Sequence, residues 1–215
     1  MAYISSNDNR FYVGLEPSYG NAATVVAANR IAAVKLTTKQ KTENVQRKDK
    51  TGSRTFAGNP SGMRRETSFE LKTYMTSWAD QTSQPGHGPL FQSCLGNAAM
   101  LSGGGAVASM PDPTKIAFSA PHGLVPGQAI SIGGEIRFVA AIVDDHTVQL
   151  NAPLTAAQAG GAQTGPTATY SPAKDLKSVS IFDYWSPGTA VQRILCGAAL
   201  DKLTVKVNGD FHEFN

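Results

Sequence analysis

The chain has 215 residues, 41% of them hydrophobic, and a formal charge of +3, which suffices for one large domain or a main domain carrying a smaller inserted one. So small a net charge argues against a surface given over wholly to nucleic acid, and any basic function must be local. Cys94 and Cys196 are the only cysteines, each among apolar neighbours, which excludes a disulfide framework or a metal-spaced pair and fits assembly in a reducing cytoplasm. The opening MAYISSNDNRFY lacks the basic start and apolar run of a signal peptide, and Asn29 and Arg30 interrupt the Ala-rich stretch Ala22 to Val34. Neither secretion nor a membrane span is expected.

From Ile31 to Lys50 the threonines and Val45 favour extended chain, while repeated lysines discourage a buried sheet interior, so this segment reads as a long exposed hairpin. The following KTGSRTFAGNPSGMRR is dense in turn-formers and reads as a loop. Thr67 to Met75 then alternates, with Phe69, Leu71 and Met75 on one face and Ser68, Glu70 and Lys72 on the other, the pattern of a half-buried strand. In GPLFQSCLGNAAM, residues Leu90, Phe91, Cys94, Leu95, Ala98 and Ala99 recur at helical spacing, predicting a helix that ends at the glycine run Gly103 to Gly105 and buries Cys94 in its apolar stripe.

Between residues 111 and 165 the texture changes to short apolar segments separated by turn signals, which reads as an inserted small β-domain. Four strands are expected there: one at Ile116 and Phe118, one at Ala129 to Ile132 after Pro126-Gly127, one at Ile136 to Val143 after Gly133-Gly134, and one at Val148 to Leu150 after Asp144-Asp145. The main domain, residues 1–110 and 166–215, resumes with Ser178 to Tyr184 and with Leu203, Val205 and Val207 before the hairpin signal Asn208-Gly209. The sum is a mainly β chain with one flanking α-helix.

Catalytic, cofactor and metal sites are all expected to be none. His87, His122, His146 and His212 lie in turn-rich or strand-end settings without acidic partners at ligand spacing. Asp144 and Asp145 would point to opposite faces of a strand, so they read as turn residues. There is no GxSxG elbow and no Walker loop, and Gly103 to Gly105 follows a helix, the wrong order for a phosphate cradle.

One constellation stands out: Lys35, Lys39, Lys41, Arg47, Lys48, Lys50, Arg54, Arg64 and Arg65, countered nearby only by Glu43 and Asp49. It is either a solvated hairpin whose lysines guard sheet edges or an arm that docks on an acidic surface or phosphate backbone. Phe56 is the only aromatic between Lys35 and Arg65, which favours protein contact over base stacking.

The order of YVGLEPSYGN, a basic extended hairpin with DKTGSRT, the strand SFELKTYM, one helix in GPLFQSCLGNAAM and strands to the end resembles the major tail tube proteins of long-tailed bacteriophages. The likeness covers residues 1–110 and 166–215 through loose patterns such as Glu16-x-x-Tyr19-Gly20. It implies a β-sandwich flanked by one helix, assembled into hexameric rings whose subunits lend strands to a continuous inner barrel, the rings stacking into the conduit for DNA ejection. The implied partners are further copies of the chain and the tape measure, baseplate and tail terminator proteins, with DNA passing without sequence-specific binding. The implied location is the virion tail, made in the host cytoplasm, with no membrane. The implied lumen is generally negative, so the arm's lysines are expected to point toward adjacent rings. The inserted APHGLVPGQAISIGGEIRFVAAIVDDHTVQL resembles small β-modules with an HGL-x-x-G opening that recur in phage tail proteins, several of them on the tail exterior. Two alternatives stay open: a baseplate or tail-completion protein with the same fold, and a carbohydrate- or surface-binding module using Trp78, Tyr184 and Trp185.

Overall fold

The computed structural model describes residues 8–44, 50, 52, 61–76, 78, 83–185, 191–207 and 212–214. In chain order these form β1 (Arg10–Leu15), β2 (Arg30–Ile31), β3 (Ala33–Asn44), β4 (Ser61–Tyr74), α1 (Gly88–Leu95), β5 (Met100–Ser102), β6 (Gly105–Asp112), β7 (Lys115–Phe118) and β8 (Ala129–Ile132). There follow β9 (Glu135–Ile142), β10 (Thr147–Leu150), β11 (Gln163–Thr164), β12 (Thr167–Thr169), β13 (Val179–Trp185), β14 (Val191–Ala198), β15 (Val205–Val207) and β16 (His212–Phe214). The fold is mainly β with one α-helix among the described residues, as the alternating segments and single helical stripe imply. Two compact units result, one of Met1–Ile31 with Thr76–Lys202 and one of Ala32–Met75 with Leu203–Asn215.

In the first unit, β14, β13, β1 and β2 make an antiparallel sheet in that order. Val13 pairs opposite Ile181, which pairs opposite Leu195, and Phe11 pairs opposite Asp183, so one face collects Phe11, Val13, Val179 and Ile181, all buried. Helix α1 packs against β1 and β13. It is shorter than the stripe predicts, because Gly96 takes φ 102°, a left-handed backbone that ends the helix, with its N–H donating to the Gln92 carbonyl at 2.8 Å. Ala98 and Ala99 lie beyond it, and Met100 already begins a strand. The buried face also differs from expectation. Leu90, Gln92 and Ser93 are buried, whereas Cys94 is only half-buried and Cys196 is exposed. Hydrogen bonds explain this: Gln92 Nε2 donates to Gln84 Oε1, and Ser93 Oγ accepts from the Leu200 N–H at 3.2 Å.

The same unit holds a nearly closed barrel, β11-β6-β7-β10-β9-β8. The four expected strands are β7 to β10. The flanking β6 and β11 carry no strand signal in the sequence, and residue 111 falls inside β6. Closure comes from the Gly165 N–H, which donates to the Ser131 carbonyl at 2.7 Å and joins β8 back to the end of β11. Thr167 and Thr169 satisfy the rest of that edge with their hydroxyls: Thr167 Oγ1 donates to the Ala129 carbonyl at 2.7 Å and Thr169 Oγ1 accepts from the Ala129 N–H at 2.9 Å. Chain entry and exit run side by side, since β5 pairs with β12 and β6 begins opposite β11. Val107, Ile116, Phe118, Leu124, Ile130, Ile132, Val139, Val148, Leu150 and Leu154 fill the interior.

In the second unit the segment expected to be a hairpin within Ile31 to Lys50 is instead one long strand, β3, whose partner β4 starts at Ser61. Met63, Arg64 and Arg65 therefore belong to a strand and not to the loop. The sheet order is β15-β16-β4-β3. β15 and β16 pair antiparallel on either side of Asn208-Gly209, which lies outside the described residues.

Ile116 is fully buried at the barrel's centre. Ile116→Ala is expected to lower the unfolding free energy by about 2–5 kcal/mol, read from denaturant midpoints, because the closed sheet cannot collapse around the lost volume.

Candidate functional site

β3 and β4 form an antiparallel ribbon whose register brings together residues far apart in the chain. Lys41 lies opposite Glu66, Lys39 opposite Ser68, Thr37 opposite Glu70 and Lys35 opposite Lys72. Directly opposed residues share a face, so these eight form one polar face, and Leu36 with Leu71 and Thr38 with Phe69 form the other. Lys35, Lys39 and Lys41 are exposed, and so is Lys50. Arg65 pairs with Thr42 in the ladder and Arg64 precedes it on β4, while Arg47, Lys48 and Arg54 lie outside the described residues. The lysines are thus interleaved with Glu66 and Glu70. Counting along the chain from Lys35 to Arg65 misses these two acids because they come from the returning strand. A ladder of mixed sign suits a protein partner better than a phosphate backbone.

β16 reaches β4 only at Thr73 and Tyr74. From Lys72 outward β4 has β3 as its one strand partner among the described residues.

A second constellation lies in the first unit, where Glu16 follows β1. Its Oε1 accepts from Ser180 Oγ and from the Gly197 N–H, both at 2.7 Å, and its Oε2 accepts from the Gly20 N–H at 2.8 Å. Ser180 Oγ in turn accepts from the Ala23 N–H at 3.0 Å. One carboxylate therefore ties the turn after β1 to β13 and to β14. Burial alone would raise the Glu16 pKa, but the hydrogen bonds from Gly197, Ser180, Ser178 and Gly20 together hold it below its ordinary value. The clasp also fixes Tyr19, which is 81% exposed. Its ring lies over Gly197, where an added Cβ would come 3.2 Å from Tyr19 Cζ and where φ is +67°. The Glu16-x-x-Tyr19-Gly20 pattern was visible in the sequence; its partners Ser180 and Gly197 were not, because they are brought in by sheet pairing.

The remaining candidates do not converge. Tyr184 stands edge-on to Tyr12 with ring centroids 5.5 Å apart, Trp185 lies under the Arg193 guanidinium at 5.3 Å, and Trp78 Nε1 donates to the Ser83 carbonyl at 2.7 Å. Tyr184 and Trp185 are consecutive on a strand and face opposite ways. Asp144 acts as a turn residue: its Oδ1 accepts from the His146 N–H at 2.8 Å, and this bond leads the causes that lower its pKa. His122 bonds through both ring nitrogens, Nδ1 to the Leu124 N–H at 2.9 Å and Nε2 to the Asp144 carbonyl at 3.0 Å. It borders a cleft of about 110 Å³ at the barrel's end, floored by Phe118, Leu124 and Ile130. Among the described residues no three His, Cys, Asp or Glu side chains gather where a metal could bind, and no helix is long and apolar enough to cross a membrane.

Glu16→Gln replaces an acceptor oxygen with a donor facing N–H groups, and is expected to cost about 1–2 kcal/mol at pH 7 in urea unfolding. Because the folded pKa lies below the unfolded value near 4.5, the carboxylate's contribution is full above that value and fades as pH falls through the folded one. The wild-type advantage over Glu16→Gln should therefore shrink on acidification from pH 5; a constant gap down to pH 2 would refute the assignment.

Compared with protein-family models, curated proteins and solved structures, the chain matches none.

Proposed function

We propose that this chain is a structural subunit that self-assembles into stacked rings, the tail tube of a long-tailed bacteriophage. The supporting observation is the sheet β15-β16-β4-β3, whose outer strand β15 has no further strand beside it among the described residues. A two-stranded ribbon is marginal by itself, and an open edge invites further pairing. On this reading the open edge of β15 in one copy takes up a strand of the next, so that copies extend one sheet around a ring. The polar face of the ribbon, with lysines and glutamates alternating, then meets neighbouring rings. Tape measure, baseplate and terminator proteins contact the ends of the stack, and DNA passes through its lumen without being read.

Negative-stain electron microscopy of the purified protein should show rings or tubes, whereas a monomer at every concentration would overturn the reading. Reversing charge at Lys35, Lys39 and Lys41 together should stop tube elongation with circular dichroism unchanged, since exposed charges add little to a monomer's stability. Raising salt should shorten wild-type tubes before unfolding, because a Debye length of about 8 Å at physiological ionic strength shrinks further. Normal tubes from the triple variant, together with its lost retention on a DNA column, would instead make the arm a DNA contact.

A further inference from the structure

β14 is the outer strand of the sheet β14-β13-β1-β2, and no strand pairs with its far side among the described residues. Edge strands of proteins that work alone carry lysines, prolines or inward charges that block pairing. β3 has such guards in Lys35, Lys39 and Lys41. β14 has none. Its sequence, VQRILCGA, contains no lysine, proline or acid. Its one charge, Arg193, is turned back across the sheet, where it donates to Asp183 Oδ2 at 2.6 Å and covers the Trp185 ring. Val191 and Ile194 are left 43% and 38% exposed, and Cys196 is exposed as well.

At the Gly197 end of this edge sits Tyr19. Its turn is held from both sides, by the Glu16 carboxylate at Gly20 and by the Asn21 N–H donating to the Ser18 carbonyl at 3.0 Å. A ring so exposed buries little in its own subunit, yet it is held in place by bonds reaching two distant strands. Fixing an aromatic before contact removes part of the ordering cost of association, and exposed tyrosines are favoured binding anchors.

We propose that the outer edge of β14, with Tyr19 at its end, is a second seam on which another copy of this chain docks. The inference rests on the reading of the chain as a self-assembling subunit. A second copy fits because the edge offers backbone groups and uncharged side chains, and because β15 of the same chain likewise has no further strand beside it among the described residues. Backbone pairing supplies adhesion along Val191 to Leu195, where the ladder with β13 is regular, and Tyr19 sets where the neighbour stops.

Full-length protein below and above its assembly concentration is pulsed with N-ethylmaleimide, and modification of Cys196 is read against Cys94 by peptide mass spectrometry. Assembly should slow Cys196 labelling at least tenfold while Cys94 changes little. Ile194→Lys, which adds the missing guard, and Tyr19→Ala should each raise the assembly concentration tenfold or more with unchanged circular dichroism and melting. Assemblies in which Cys196 stays as reactive as in the monomer, or which both variants form as readily as wild type, overturn the seam and leave the proposed function standing. A wild-type protein that stays monomeric at all concentrations overturns both.

Discussion

A β-sheet leaves a row of unsatisfied amides and carbonyls along each outer strand, and this chain's architecture follows from how each row is disposed of. The barrel removes its edges by closing through the Ser131–Gly165 bridge, and the hydroxyls of Thr167 and Thr169 satisfy the backbone that the bridge does not reach. Among the described residues neither of the two four-stranded sheets closes. One ends in a strand guarded by lysines, the other in a strand without guards. Among the described residues, β14 and β15 keep an outer row of backbone groups that no further strand takes up.

The Glu16 carboxylate shows the same economy in a smaller space. Three strands of one sheet approach a single turn, and the backbone N–H groups of Gly20 and Gly197 there have no ladder partner to serve them. One side chain accepts from both, and from Ser180, without adding a strand. The cost of partly burying a charge is offset by the number of donors it meets.

Much of the fold was legible where local chemistry decides it. Pro126-Gly127, Gly133-Gly134 and Asp144-Asp145 each mark a turn between barrel strands, because glycine and aspartate fit turn backbones that other residues resist. The strands β6 and β11 were not legible, since GAVASMPD and QT lack both alternation and β-branched density and become strands only through their neighbours. The helix stripe misled for a related reason: hydrogen bonds to Gln84 and Leu200 bury Gln92 and Ser93, and apolar periodicity cannot register a polar contact made in three dimensions. The basic residues of the arm could be read from the chain, but their placement on one face with Glu66 and Glu70 could not, because register is set by how β3 meets β4 across a long sequence separation.

The side-by-side run of β5 with β12 has a consequence for how such a chain can change over time. A segment that leaves and returns through adjacent backbone positions is topologically a cassette: exchanging it alters no other connection in the molecule. Exchange of the stretch between β5 and β12 therefore need not rewire the other strands, and a foreign domain could be displayed there. The glycine at Gly104 marks the junction, since its left-handed backbone presses against the Thr164 carbonyl with no room for a side chain.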